Sequence, residues 1–188
     1  MRPVAAVIAG VALALAACGE QPLPSPSTSA TPSATSIATG PAAEVVRDAF
    51  RLTIAVSSAT YRVDEPIEVR TVLAYAGPAP SIEVGGSGSG LVGFSLQQLD
   101  GPIAVDAAGT SDCAPWTLKR GDNLIPFQKS GGYSADDPQA DFFARYLNDP
   151  QLRLPAGTWR ITALASLARP GCDGGGVNLS AAVDVTVR

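Results

Sequence analysis

The chain has 188 residues, a formal net charge of −4 and no histidine, with 46% hydrophobic and 16% charged residues. The apolar content is that of a globular protein, and the basic residues form no cluster of the kind that binds nucleic acid. Without histidine, most general-base, catalytic-triad and zinc-site chemistries are excluded.

The amino terminus has the pattern of an export signal. An apolar run without charge extends from Val4 to Ala17, shorter than the roughly 20 residues that span a bilayer, and it closes on small residues. Its end, Leu15-Ala16-Ala17-Cys18, resembles the lipobox of bacterial lipoproteins. That resemblance implies cleavage before Cys18, a diacylglycerol-modified thiol and an extracytoplasmic protein anchored to the outer face of a bacterial membrane. The alternative is a plain signal peptide in which Cys18 is incidental.

Proline, serine, threonine and alanine dominate the next segment. Residues 18–43 contain only Leu23 and Ile37 as sizeable apolar side chains, too few to offset the entropy of ordering. The composition therefore predicts a disordered tether between the lipidated cysteine and a domain over residues 44–188. A glycosylated stalk is the alternative, because this composition is also mucin-like.

The predicted domain has a repeated period-two alternation of apolar and polar residues, which is typical of half-buried strands. Asp100-Gly101 predicts a hairpin turn, and Pro126 places its strand at an edge or a bulge. The predicted strands lie around Leu52–Val56, Ile67–Tyr75, Val92–Leu96, Ile103–Val105, Leu124–Lys129, Trp159–Leu167 and Leu179–Val187.

One short helix is predicted after these middle strands. Asp137 suits the cap, Pro138 suits the first helical position, and Pro150 limits the far end. Phe142/Tyr146 and Phe143/Leu147 are i,i+4 pairs that form an aromatic stripe facing the core. We expect this helix to cross between two sheets.

Two segments resemble immunoglobulin-like sandwiches of bacterial envelope proteins. Tyr61 to Val69 resembles the approach to their second strand, and Leu154 to Ile161 resembles the corner before their penultimate strand. The resemblance implies an all-β, immunoglobulin-like antiparallel β-sandwich with one crossover helix. Trp159 stands where tyrosine is commoner, and the fold alone names no activity.

Cys113 and Cys172 are an even pair in a chain predicted to be exported, which favours a disulfide. Both lie in turn-like contexts, so the bridge would fix a loop to the tip of the last hairpin. A redox-active pair is the alternative, although such pairs normally use close Cys-x-x-Cys spacing.

Catalytic and metal-binding patterns are weak. Asp136, Asp137 and Asp141 are the candidates for a calcium site, but their spacing matches no EF-hand loop and they suit a helix start equally well. Lys129 next to Ser130 is a poor nucleophile pair, because adjacent strand residues point to opposite faces. We therefore predict no catalytic residues and no cofactor beyond the lipid on Cys18.

These observations favour a binding module that is not an enzyme and has an envelope protein or a glycan as its partner. The predicted contact loops are Gly85–Gly90, Asp112–Trp116 and Gly131–Asp141, in which Trp116 and Tyr133 are the candidate anchors. A carboxylate-dependent hydrolase or carbohydrate-active protein is one alternative, and a structural subunit of an envelope complex is another.

Overall fold

A computed structural model of the chain describes residues 40–188. The predicted signal, Cys18 and residues 19–39 of the predicted tether lie outside the described residues. Within residues 40–188, no helix has the length and hydropathy needed to cross a bilayer.

The first of two sheets has four antiparallel strands. They are β1 (Ala42–Arg47), β2 (Phe50–Val56), β4 (Val69–Tyr75) and β9 (Gly121–Ile125), in the order β1-β2-β4-β9. Ala42 pairs with Ala55, so Ala42 and Ala43, assigned to the tether by composition, belong to this sheet. The predicted edge position of the strand at Pro126 is confirmed, but its predicted range Leu124–Lys129 is wrong, because β9 runs over Gly121–Ile125 and ends before Pro126.

The second sheet is built around its two longest strands. These are β10 (Gly157–Ala168) and β11 (Gly176–Val187), which pair along their full length. Along its other edge, β10 pairs with β6 (Val92–Gln98) over residues 159–165 and with β5 (Ser81–Gly86) at Ala168. The remaining strands are β3 (Thr60–Tyr61), β7 (Ala104–Val105) and β8 (Ala114–Lys119).

Nearly all strand pairs in the described residues are antiparallel. The exception is the short strand β3, which runs parallel to β11. The predicted hairpin at Asp100-Gly101 is confirmed, because β6 and β7 pair on either side of it.

The core lies between the inner faces of the two sheets. Burial alternates along β2, β10 and β11 with the predicted period of two. The largest fully buried side chain is Trp159, whose Nε1 donates a hydrogen bond to the Pro155 carbonyl at 2.9 Å. An all-β sandwich with one short helix in the described residues is therefore confirmed.

The helix α1 (Ala140–Asn148) joins β9 of the first sheet to β10 of the second. Its end before Pro150 and its buried aromatic residues agree with the prediction, but the predicted cap is wrong. Asp137 Oδ1 accepts the main-chain N–H of Gln139 at 2.7 Å, which forms a turn ahead of the helix. The helix therefore begins two residues after Pro138.

Two ends of the sandwich can be told apart by strand pairing. At the amino-terminal pole, Pro41 accepts the main-chain N–H of Val56 at 3.0 Å, and Gly157 pairs with Val187. At the opposite, distal pole lie the Ala168–Gly176 pair that closes the β10–β11 hairpin and the start of β8.

Candidate functional site

A disulfide ties two segments together at the distal pole. Cys113 and Cys172 are joined by an S–S bond of 2.02 Å with their Cα atoms 6.0 Å apart. The bond links the start of β8 to the tip of the β10–β11 hairpin, as the sequence predicts. Gly85 lies against it: a Cβ on Gly85 would approach Cys172 Sγ to 2.7 Å and the Arg169 carbonyl to 2.6 Å. Glycine is required there by close packing.

This packing corrects the prediction of a contact loop over Gly85–Gly90. Gly85 and Gly86 belong to β5, where they pair with β8. Ser87 to Gly90 form a tight turn, in which the Gly90 N–H donates to the Ser87 carbonyl at 3.1 Å. The turn is then tied to a second segment, around Thr110.

Three hydroxyl groups connect those two segments. Ser87 Oγ lies 2.8 Å from Ser89 Oγ and 3.0 Å from Thr110 Oγ1. The main-chain N–H of Gly88 donates to Asp112 Oδ1 at 3.1 Å. Hydrogen bonds from the Thr110 side chain and from the Gly88 amide lower the pKa of Asp112 below its usual value. The network fixes the wall of a neighbouring depression.

That depression, which we call the distal cleft, lies where the sheet edges leave the sandwich open. It consists of a larger cavity of about 550 Å³ and a smaller one of about 320 Å³, which share the segment Ser89–Val92 and the side chain of Gln128. The larger cavity is also lined by Ser87, Gly93, Phe94, Ala107–Thr110, Lys129–Gly131, Leu164 and Ser166, and the smaller one by Trp116–Leu118 and Asn123–Pro126.

The cleft offers no available charged group to a ligand. Lys129 is the only ionisable residue among those that line the two cavities. Its Nζ donates to the main-chain carbonyls of Tyr146, Asp149 and Gln151 at 2.5, 2.7 and 2.7 Å. A lysine ammonium has three donors, so all of them are used inside the protein, away from any ligand.

Several polar side chains of the cleft have unused hydrogen-bonding capacity. Within residues 40–188, the Gln128 amide and the Ser166 and Thr117 hydroxyl groups make no hydrogen bond to another protein group, and all three residues are exposed. Gln128 lies between the two cavities. These groups are free to bind a ligand.

Trp116 lies in this cleft, but not in a loop as predicted. It belongs to β8, opposite Val84 of β5, so the predicted loop Asp112–Trp116 is wrong from Ala114 onward. Its indole Nε1 donates to the Ser87 carbonyl at 3.1 Å. The half-buried ring is therefore held in one orientation along the wall of the smaller cavity.

Tyr133 lies outside the cleft, on the chain between β9 and α1. It is 43% exposed, and its ring stacks on Phe143 with the centroids 5.8 Å apart and an interplanar angle of 12°. The structure therefore does not bring the two predicted aromatic anchors together. Of the predicted segment Gly131–Asp141, the last two residues belong to α1.

The predicted calcium candidates do not converge. Asp137 is engaged by the Gln139 amide, and Asp141 lies in the first turn of α1. Among residues 40–188, no group of three or more aspartate, glutamate, cysteine or histidine side chains is arranged to hold a metal ion. Asp136, Asp137 and Asp141 therefore form no ligand set in the described part of the chain.

Lys129 and Ser130 do not form a nucleophile pair either. Ser130 Oγ donates to the Asp106 carbonyl at 3.3 Å and accepts the main-chain N–H of Ala108 at 3.1 Å. Burial lowers the pKa of Lys129, with Asp149 opposing the shift, but the ammonium faces the end of α1 and makes no hydrogen bond to Ser130.

Sequence reasoning missed most of the cleft. Gln128, Thr117, Ser166 and Leu124 carry no motif, and they come together only because β8, β9 and β10 bring distant segments to one side of the sandwich. In the sequence only Pro126 marks this strand as an edge, and the structure shows that Leu124 on it is 68% exposed.

Comparison with known proteins gives no family for the chain. No protein-family profile, curated protein or solved structure matches it.

Proposed function

We propose that the protein is a lipid-anchored, extracytoplasmic envelope lipoprotein whose immunoglobulin-like β-sandwich binds a protein or glycan partner and catalyses no reaction. In this proposal Cys18 carries the lipid, residues 19–39 supply reach, and the distal cleft holds the partner. The observation that carries it is the cleft itself, in which exposed polar groups without partners border an apolar wall.

The position of the cleft fits a tethered module. The described chain starts at the amino-terminal pole, where a Cβ on Gly40 would approach the Val56 carbonyl to 2.3 Å. The cleft lies near the distal pole, along β6 and the outer half of β10. The twelve residues of β10 span about 40 Å at the rise of a strand. The chain therefore enters the sandwich at the pole opposite the cleft, which leaves the cleft free for a partner.

The chemistry of the cleft favours binding over catalysis. General acid–base or nucleophilic chemistry needs a titratable group within reach of the ligand. Lys129 is the one ionisable residue that lines the cleft, and its ammonium group uses all three N–H donors in hydrogen bonds to main-chain carbonyls. What remains is a set of amide and hydroxyl groups, which bind and orient a ligand.

Partner capture tests the role of the cleft. The full chain, immobilised in detergent, is incubated with a detergent extract of the source cell envelope, and the retained components are quantified. Leu124→Asp places a charge at the mouth of the smaller cavity. Val46→Asp is its matched control, since Val46 is 63% exposed on β1, the other edge of the same sheet.

We expect saturable capture by the wild type and by Val46→Asp, and its loss in Leu124→Asp. Equal capture by all three proteins, or capture by none, contradicts the proposed binding role. A measured turnover that disappears on replacing a carboxylate, with the fold retained, contradicts the proposal that the protein is not an enzyme.

Metabolic labelling tests the anchor. Cells that express the full chain are fed an alkyne-modified fatty acid, and the label is compared between the wild type and Cys18→Ser. We expect the label and membrane association in the wild type, and loss of both in the variant. An unlabelled wild-type protein would show that the lipobox resemblance is incidental.

A further inference from the structure

We infer that the distal cleft is a binding site for an uncharged glycan, with Gln128 and Trp116 as its specificity-determining residues. This inference depends on the proposed binding role and adds to it the chemical class of the ligand. Three properties of the cleft carry it: the lack of available charge, the unpartnered polar side chains and the covered strand edge.

The lack of an available charged side chain makes an ionic ligand unfavourable in this cleft. The smaller cavity is lined by no ionisable residue, and the larger one only by Lys129, whose three donors are used. A bound phosphate or carboxylate would have no cation to pair with, and a bound ammonium group would have no carboxylate. Burying an unpaired charge is costly, so the cleft suits a neutral molecule.

Unpartnered polar groups decide against a purely apolar ligand. Covering the Gln128 amide and the Thr117 and Ser166 hydroxyl groups with hydrocarbon would remove their bound water without replacing its hydrogen bonds, which is unfavourable. A ligand with many hydroxyl groups replaces that water. An amide side chain donates and accepts at once, which suits a sugar hydroxyl group that also does both.

The buried edge of β6 disfavours strand addition by an extended peptide in the larger cavity. Strand addition needs an exposed edge whose main-chain groups are accessible. Val92 and Phe94 of β6 line the cleft but are only 5% and 1% exposed. The main-chain groups of Val92 and Phe94 are therefore not available to a peptide strand along β6, so recognition in the larger cavity depends on side chains.

Apolar surface completes the match with a sugar ring, which has C–H faces as well as hydroxyl groups. The Trp116 ring, oriented by its hydrogen bond to Ser87, forms part of the smaller cavity, and Leu164, 37% exposed, forms part of the larger one. Rigid aromatic rings bury area at low entropic cost. A linear oligosaccharide could therefore cross both cavities past Gln128.

The two tryptophan residues of the chain make the test direct, because Trp116 lines the cleft whereas Trp159 is 0% exposed. The full chain in detergent is titrated with neutral tetrasaccharides of glucose, N-acetylglucosamine, mannose or arabinose, and with acidic tetragalacturonate. Binding is followed by tryptophan fluorescence and by calorimetry. Gln128→Leu is compared with Gln97→Leu, since Gln97 is an exposed strand glutamine outside the cleft.

We expect at least one neutral tetrasaccharide to bind, with a fluorescence change that Trp116→Phe abolishes. Loss of the amide in Gln128→Leu should weaken binding about tenfold, whereas Gln97→Leu should stay within about twofold. The inference is overturned if no neutral tetrasaccharide binds, if tetragalacturonate binds better, or if both glutamine variants bind equally.

Failure of this inference can be distinguished from failure of the proposed function. If no saccharide binds but the envelope extract still yields a component that Leu124→Asp loses, the binding role stands and the ligand class is wrong. If neither the saccharides nor the extract give binding, both are wrong.

Discussion

The ammonium group of Lys129 lies 4.7 Å from the centroid of the Tyr146 ring and donates a hydrogen bond to the main-chain carbonyl of the same residue. The main-chain carbonyls of Asp149 and Gln151, beyond the end of α1, accept two further hydrogen bonds from this ammonium group. Carbonyls at a helix end have no partner within the helix. Lys129 therefore caps α1 and fixes the neighbouring segment, which contains Gln128.

Removing this cap should destabilise the fold. Lys129→Met keeps the aliphatic stem but leaves three carbonyls without their charged donor, so we expect the free energy of unfolding in urea to fall by about 2–3 kcal/mol. Lys119→Met is the control, because Lys119 is exposed and its side chain makes no hydrogen bond among the described residues. Equal stability of the two variants would show that the cap contributes nothing.

The Tyr146 hydroxyl is buried and makes no hydrogen bond of normal geometry in the described structure. Replacing it with hydrogen in Tyr146→Phe should therefore change stability by less than about 1 kcal/mol at neutral pH. Burial raises the pKa of Tyr146 to about 12, against a smaller opposite effect from the Ser130 amide.

At alkaline pH the two proteins should diverge. The phenol of the unfolded chain ionises near pH 10, whereas that of the folded chain stays neutral up to about pH 12. The unfolded state therefore loses its proton first, and wild-type stability falls as pH rises from 10 to 12. We expect Tyr146→Phe to remove part of this fall, by up to about 2 kcal/mol, while Tyr133→Phe, at an exposed position, does not. Parallel pH profiles for all three proteins would disprove this.

Breaking the disulfide should cost much of the stability. Cys113 and Cys172 are 59 residues apart, and a loop of that length corresponds to about 4 kcal/mol in the chain-entropy model. We expect the double variant Cys113→Ser/Cys172→Ser to lose about that amount in urea unfolding. Reduction of the wild type should give the same loss, and an unchanged midpoint after reduction would show that the bond is not formed in solution.

Arg160 and Asp184 form a bidentate ion pair directly across β10 and β11, with N–O distances of 2.8 and 2.9 Å. The hydrogen bonds and charge of Arg160 lower the pKa of Asp184 below its usual value. Both side chains are about half exposed, so we expect Asp184→Asn to cost less than about 1 kcal/mol.

The sign of the pH dependence follows from the lowered pKa of Asp184. The ion pair stabilises the fold above the unfolded-state pKa of the carboxyl group, and this contribution is lost as pH falls through the lower folded-state value. The stability difference between the wild type and Asp184→Asn should therefore vanish in acid. Asp106→Asn, at an exposed position, should track the wild type; a difference that persists in strong acid would rule out the ion pair as its cause.

The amino-acid sequence alone determines the layers of this protein. Alternation of apolar and polar residues along β2, β10 and β11 reports which face each strand buries, because successive side chains of a strand point to opposite faces. The turn at Asp100-Gly101, the edge position before Pro126 and the Cys113–Cys172 pair were predictable for similarly local reasons. The lipid on Cys18 stays a prediction of the sequence.

Only the tertiary structure decided what lies at the open side of the sandwich. The sequence placed Gly85 and Gly86 in a contact loop, yet Gly85 packs against the disulfide and both residues belong to β5. Spacing made Asp137 a helix cap, yet its carboxylate closes an earlier turn. The cleft combines residues from segments that are distant in the sequence. No local sequence pattern predicts that these residues lie together, because their proximity depends on how the two sheets pack in space.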